Sequence, residues 1–244
     1  MGSSRRKLKQ LSLYASALIL ALDTSTQTAS VALFRAGRVL EEHTWWSEQN
    51  HTTELAPAVA SLLARQGVGV SELQAVAVAV GPGSFNGLRV GMSFAKGMAC
   101  SLGLPVIGVS TLEALAYQQL RFRGLIRPLI PAGRGELNTA LFSASRGRWR
   151  RLEPDRLAAL ESVVAETAHR TLFCAGLLPE QAVLLREQLG KRAVIASPAA
   201  CCPRAGYLAE LAWQRLQAGQ GIDAGVLEPI YLRRPSIGGR GPAF

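Results

Sequence analysis

A run of small and β-branched residues, Gln74-Ala75-Val76-Ala77-Val78-Ala79-Val80, stops at Gly81-Pro82-Gly83-Ser84 and gives way to apolar residues at helical spacing through Leu102. An uninterrupted run of this kind reads as a strand buried on both faces of its sheet. The strand-turn-helix junction leaves backbone N–H groups unpaired at the positive end of a helix, where an anion or a close backbone contact is favoured. The junction is therefore a site or the relic of one.

Around it the pattern is mixed α/β. Residues 17–24, 28–34 and 38–46 read as a meander of three strands, with Ala36-Gly37 as a tight turn. Asn50 or Thr52 can open a helix with Leu55, Val59, Leu62 and Leu63 on one face, Pro57 being tolerable near its first turn. A strand at 106–109 follows the second helix, and Thr111 opens another through about residue 120. A second set then appears: strands at 125–131, 137–143, 148–152, 172–175 and 193–196, and helices at 154–167, 179–189 and 204–218. Both halves place strands first and helices later. The expected organisation is a disordered basic extension (1–16), a first lobe (17–112), a second lobe (113–234) whose helix near 204–218 packs back on the first, and a flexible tail (235–244).

With 48% hydrophobic and 18% charged residues the chain is expected to fold rather than stay disordered. Its 27 Lys and Arg against 17 Asp and Glu leave +10, which favours a polyanion such as RNA or an acidic protein surface as partner. Much of the excess is arginine, including Arg146, Arg148, Arg150 and Arg151 around Trp149, and Arg233, Arg234 and Arg240; the plain alternative is a solvated basic surface. Arg5, Arg6, Lys7 and Lys9 before the apolar stretch 11–22 imitate a signal peptide, but cleavage there would destroy the first strand. No run reaches the ~18 apolar residues of a membrane span. Cys100, Cys174, Cys201 and Cys202 lack metal-ligand spacing, so a reduced, cytoplasmic setting is expected.

Two constellations could carry function. Asp23-Thr24-Ser25 ends the first strand, where a carboxylate and two hydroxyls could meet a nucleotide phosphate and its magnesium ion, or could bond only local backbone. Gly87, Gly91, Ala95 and Ala99 form a smooth stripe flanked by Leu88 and Met92, a groove for another helix or for packing inside its own domain. Arg89 is an anion ligand or a surface charge. His43, His51 and His169 make no i, i+4 pair to hold a metal, and neither GxxxxGK[ST] nor GxSxG occurs. His51, at a helix start, reads as a capping or surface residue.

These residues resemble the TsaB (YeaZ) family, bacterial proteins required for the threonylcarbamoyl modification of adenosine 37 in tRNAs reading ANN codons. The resemblance is carried by Leu20-Ala21-Leu22-Asp23-Thr24-Ser25 with Ser30-Val31-Ala32-Leu33, by His51, by Gly81-Pro82-Gly83-Ser84-Phe85 with Gly87-Leu88-Arg89, by Gly108-Val109-Ser110-Thr111-Leu112, and by the separate Glu228-Pro229-Ile230-Tyr231-Leu232-Arg233. Asn86 stands where the family usually has Thr. The family motif L-I-D-A-R-x-G-E-V-Y is here Leu129-Ile130-Pro131-Ala132-Gly133-Arg134-Gly135-Glu136-Leu137-Asn138, without its Asp, first Arg and Tyr.

The resemblance implies an actin-like ATPase fold of two related lobes and a non-catalytic subunit that dimerises with and activates the catalytic subunit TsaD, joined by the ATPase TsaE. It implies a partner surface on the first two helices, for which His51, Leu55, Val59, Leu62, Phe85, Gly87, Leu88, Gly91, Met92, Ala95 and Ala99 are the candidates. Alone, such a chain pairs with itself through the same surface. Asp23, Thr24 and Ser25 would be a vestigial nucleotide cleft, with ATP or ADP at the complex interface as candidate cofactor, tRNA reached through the complex, and no metal or membrane. The alternative is an actin-like ATPase or kinase, or an M22-type glycopeptidase homologue, active in its own right.

Overall fold

The computed structural model describes residues 16–48, 50–145, 148–174, 176–221 and 223–233. The expected extension, save its last residue, and the expected tail lie outside them.

The first lobe is built on β1 (Leu18–Asp23), β2 (Thr28–Arg35) and β3 (Arg38–Trp46), then α1 (His51–Arg65), β4 (Ala75–Gly81), α2 (Phe85–Leu102) and β5 (Val106–Ser110). Its sheet runs β3-β2-β1-β4-β5, with β1 antiparallel to β2 and parallel to β4. Alternation decides which layer each face takes. Leu18, Leu20, Leu22, Val76 and Val78 point to α1 and α2, where Leu55, Leu62 and Met92 meet them. Each fully buried leucine there stabilises the layer by roughly 2 kcal/mol. Ala17, Ile19, Ala21, Ala75, Ala77 and Ala79 point the other way. Those small side chains leave room for a closely packed helix.

That helix comes from the far end of the chain. α3 (Thr111–Tyr117) leads into the second lobe, β6 (Gly124–Gly133), β7 (Glu136–Ser145), β8 (Arg148–Ala159), α4 (Leu160–Glu166), β9 (Thr171–Cys174), α5 (Pro179–Leu189) and β10 (Ala193–Ile195), after which α6 (Ala205–Gln217) packs Ala205, Leu208, Ala209 and Ala212 on the alanine face of the first sheet. The second sheet runs β10-β9-β6-β7-β8. α3 faces both lobes: Leu112, Leu115 and Ala116 enter the core with Ile126 and Phe142, while Ala114 and Tyr117 join the α6 layer. α4 and α5 cover the outer face around Leu129 and Phe173.

One expected element is corrected. A helix over 154–167 was the periodicity reading, yet β8 continues to Ala159 and the helix begins at Leu160. Leu141 pairs with Glu153 and Thr139 with Arg156, so Ala140 faces both Pro154 and Asp155. A proline that opens a helix also fits a bulge on an edge strand, where its missing N–H costs no ladder bond.

Candidate functional site

The turn after β1 is pressed onto the start of α2. Ser84 N–H donates to the Ser25 carbonyl at 2.7 Å, and the Thr24 hydroxyl donates to the Gly87 carbonyl at 2.7 Å. A Cβ on Gly83, Gly87 or Gly91 would lie 2.2 Å from Ser25 O, 2.1 Å from Thr24 O and 2.3 Å from Thr24 Oγ1. The glycines are therefore required by the chain's own loop. Ser84 caps α2 by accepting from Gly87 N–H. Asp23 accepts from both the Ser25 N–H (2.9 Å) and the Ser25 hydroxyl (2.6 Å). Burial pushes its carboxyl up from the ordinary range, against the Ser25 hydrogen bonds and the His51 ring, which pull it down. The His51 Nε2 lies 2.9 Å from the Thr26 carbonyl, so that nitrogen carries the proton and ties the turn to α1.

Beside this turn the lobes enclose a mainly apolar cleft of about 1240 Å³, lined by Ser25, Phe85, Leu115, Ile130, Pro131, Asn138, Leu178, Tyr231 and others. Asp23 and Thr24 are 2% exposed and do not line it. Ser25 does line it, and the Asp23 carboxylate and the Thr24 and Ser25 hydroxyls are hydrogen-bonded to one another and to backbone. Opposite, the end of β6 brings Pro131 and Ala132. The polar part of the lining includes the hydroxyls of Thr26, Thr28 and Ser84, the Asn138 amide and the guanidiniums of Arg186 and Arg233, while no carboxylate that could hold a magnesium ion is among the described lining residues. Among the described residues no cluster of three His, Cys, Asp or Glu could hold a metal.

The C-terminal segment closes one end of the cleft. Ile230 N–H donates to the Val80 carbonyl at 2.7 Å, the Tyr231 ring lies 5.2 Å from that of Phe85, and Arg233 pairs with Glu136. The segment spanning 228–233 is thus a strap from the Gly-Pro-Gly turn of one lobe to the β6–β7 turn of the other.

Most of the expected partner-surface residues point inward. Leu55, Val59, Leu62, Leu88, Met92, Ala95 and Ala99 are at most 4% exposed, His51 is 5% exposed, and Gly87 and Gly91 receive Thr24. These side chains are covered by their own sheet and loop, so a partner reaching the helix pair would first meet the residues around them. Phe85 is half-buried between Tyr231 and Arg89, whose guanidinium carbon sits 3.8 Å from its ring centre. The exposed face of the helix pair carries Thr52, Ala56, Ala60 and Ala64 on α1 and Arg89, Ser93 and Gly97 on α2. Between them lies a shallow groove of about 360 Å³ with Val90 and Phe94. Sequence reading missed this face, although Thr52, Ala56, Ala60 and Ala64 repeat at i, i+4 just as the buried stripe does.

Comparison with known proteins decides the family. The chain is 34% identical to the tRNA threonylcarbamoyladenosine biosynthesis protein TsaB of Bacillus subtilis over 218 residues, 88% of this chain and 93% of that one. This chain belongs to the TsaB family. The Escherichia coli TsaB is 32% identical over 88% of this chain and 94% of its own. YeaZ from Pseudomonas aeruginosa superposes with a TM-score of 0.75 at 29% identity, covering 88% of this chain and all of that one. A family model described as TsaD, tRNA N6-adenosine threonylcarbamoyltransferase, matches residues 46–175. The fold is accordingly the actin-like ATPase fold of TsaB proteins. Within it the Glu228-to-Arg233 signature is the interlobe strap, and Glu136 of the altered mid-chain motif is kept as the partner of Arg233.

Proposed function

We propose that this chain is a non-catalytic subunit in the biosynthesis of threonylcarbamoyladenosine in tRNA, acting by pairing with a TsaD-type catalytic subunit through the outer face of α1 and α2. The observation that carries the reading is that face itself. Its side chains are mostly small, with Arg89 and Lys96 as the charged groups on α2, so a partner's helices can approach closely along the Ala56, Ala60 and Ser93 surface. The TsaB relatives, matched over nearly their whole length, supply the reaction context. The cleft supports a non-catalytic role, since no carboxylate that could hold a metal or act as a general base is among its described lining residues. Any ATP or ADP used by the assembly then sits on the partner or at the shared interface, and a TsaE-type ATPase joins the pair. Without the catalytic subunit the same face pairs two copies of this chain.

Ala56→Trp together with Ser93→Arg should abolish co-elution with the TsaD-type subunit and formation of modified adenosine in a reconstituted reaction, while the thermal midpoint of the chain stays unchanged. Survival of both pairing and modification in that variant would show the interface to be elsewhere.

A further inference from the structure

One rim of the second lobe gathers cations that are far apart in the chain. β6, β9 and β10 are parallel and start at the same end of the sheet, where β7 finishes and β8 begins. The register aligns Ala193, Thr171, Leu125 and, one step across, Ala144 opposite Gly124 and Trp149. Immediately before these positions stand Arg192, Arg170, Arg123 and Arg148, with Arg121, Arg150 and Lys191 next to them; all seven are exposed. At about 4.8 Å between strands, the row spans roughly 20 Å.

The rim is also free of carboxylates. No Asp or Glu occurs in the windows 114–135, 137–152, 167–179 or 188–209, which contain every strand end at this rim. Of the acids in the last turns of the helices flanking this sheet, Glu166 is engaged by Arg156 and Arg127, leaving Glu187 on α5; Glu113, Glu161 and Glu180 lie in the first turns of their helices. Elsewhere the arginines Arg127, Arg151, Arg204, Arg215 and Arg233 each meet a carboxylate within 4.0 Å, whereas among the described residues none of the seven rim cations does. Arg192 donates to the Thr167 carbonyl at 2.7 Å, and Arg170 lies 5.0 Å from the centre of the Phe122 ring. These contacts fix guanidiniums in place without neutralising them. Like charges held in a row repel one another, and a polyanion relieves that repulsion.

We propose that this rim is an RNA-backbone contact, on which the Arg192-Arg170-Arg123-Arg148 row neutralises consecutive phosphates of the tRNA substrate. Guanidinium forks suit phosphate oxygens, and a row of them positions a backbone without reading bases. Leu120 and Leu152, the large exposed apolar side chains nearby, do not form the clustered aromatic centre that a protein partner would need. The proposal rests on the tRNA reaction context and deepens it by assigning this subunit a substrate contact.

The test uses the full chain in complex with its TsaD-type subunit and an unmodified, fluorescently labelled tRNA transcript, titrated at several salt concentrations. Arg123→Glu/Arg148→Glu should weaken binding at least about 10-fold and lower the slope of log K against log salt by between about one and two. The charge-matched Arg35→Glu/Arg38→Glu variant, on the far lobe, should stay within about twofold of the parent. Equal losses in the two variants would overturn the rim in favour of diffuse charge, and undiminished binding in the rim variant would overturn it outright. Loss of pairing with the TsaD-type subunit in the rim variant would make the rim a protein contact instead. Failure of the pairing reading shows separately, in the α1–α2 variant.

Discussion

The two lobes each present a strand-turn-strand to the cleft, and the two turns are opposites. In the first, Asp23, Thr24 and Ser25 are polar yet at most 2% exposed, their groups satisfied by one another and by the start of α2. In the second, Gly133, Arg134 and Gly135 all have positive φ, the turn is open, and Arg233 reaches over to Glu136. Hydroxyls and a carboxylate at a turn next to a glycine-rich helix start do not by themselves make a phosphate site. What matters is whether the donors remain free after the loop has packed, and here close approach through three glycines consumes them.

The contrast can be broken most forcefully at Gly87. Gly87→Val would force the first turn off α2, and a loss of about 3 kcal/mol in urea unfolding is expected, at the upper end of overpacking effects, because the obstructing atom is backbone. A variant at parental stability would show the turn to be loosely seated.

Asp23→Asn should be far milder, and its effect should depend on pH. Burial raises the Asp23 pKa in the folded chain, so the folded state binds its proton more tightly than the unfolded state does. The associated stability is fully present below the unfolded value and is lost as pH rises through the folded value. Asparagine keeps an acceptor for Ser25 and has no charge to bury. The stability of Asp23→Asn relative to the parent should therefore rise between about pH 4 and the folded pKa and level off above it. Unfolding at a series of pH values measures this, and a flat difference would sink the assignment.

The smallest effect should come from the second turn. Arg233→Ala removes an ion pair whose side chains are 31% and 43% exposed, so its cost in stability should be at most about 1 kcal/mol. Its readout is local. Amide exchange around Ile230 and Tyr231 should quicken while the core strands stay protected, and unchanged exchange would mean that the Val80 hydrogen bond and the Tyr231–Phe85 contact hold the strap without the ion pair.

Much of this molecule was legible in its sequence, for physical reasons that can be named. The Val/Ala alternation of β4 marked a strand buried on both faces, and the 3.6-residue spacing of Leu55, Val59, Leu62 and Leu63 marked a helix with one covered face. The two separated signatures marked the family. Pro154 misled because a helix start and an edge-strand bulge tolerate the same missing N–H. The stripe Gly87-Gly91-Ala95-Ala99 left two readings open, because smoothness invites any close neighbour, and the chain's own Thr24 loop takes up Gly87 and Gly91.

Local periodicity and composition, which act over a few residues, were enough for the sequence alone to determine most element types outside 154–159, the two-lobed α/β class and the net positive charge. Only the tertiary structure decided that the Asp23 turn is sealed, that Arg233 straps the lobes together, and that the free face of α1 and α2 is the one carrying Ala56 and Ser93. It alone gathered Arg123, Arg148, Arg170 and Arg192 on one rim, because strand order and register bring together residues as much as 69 positions apart.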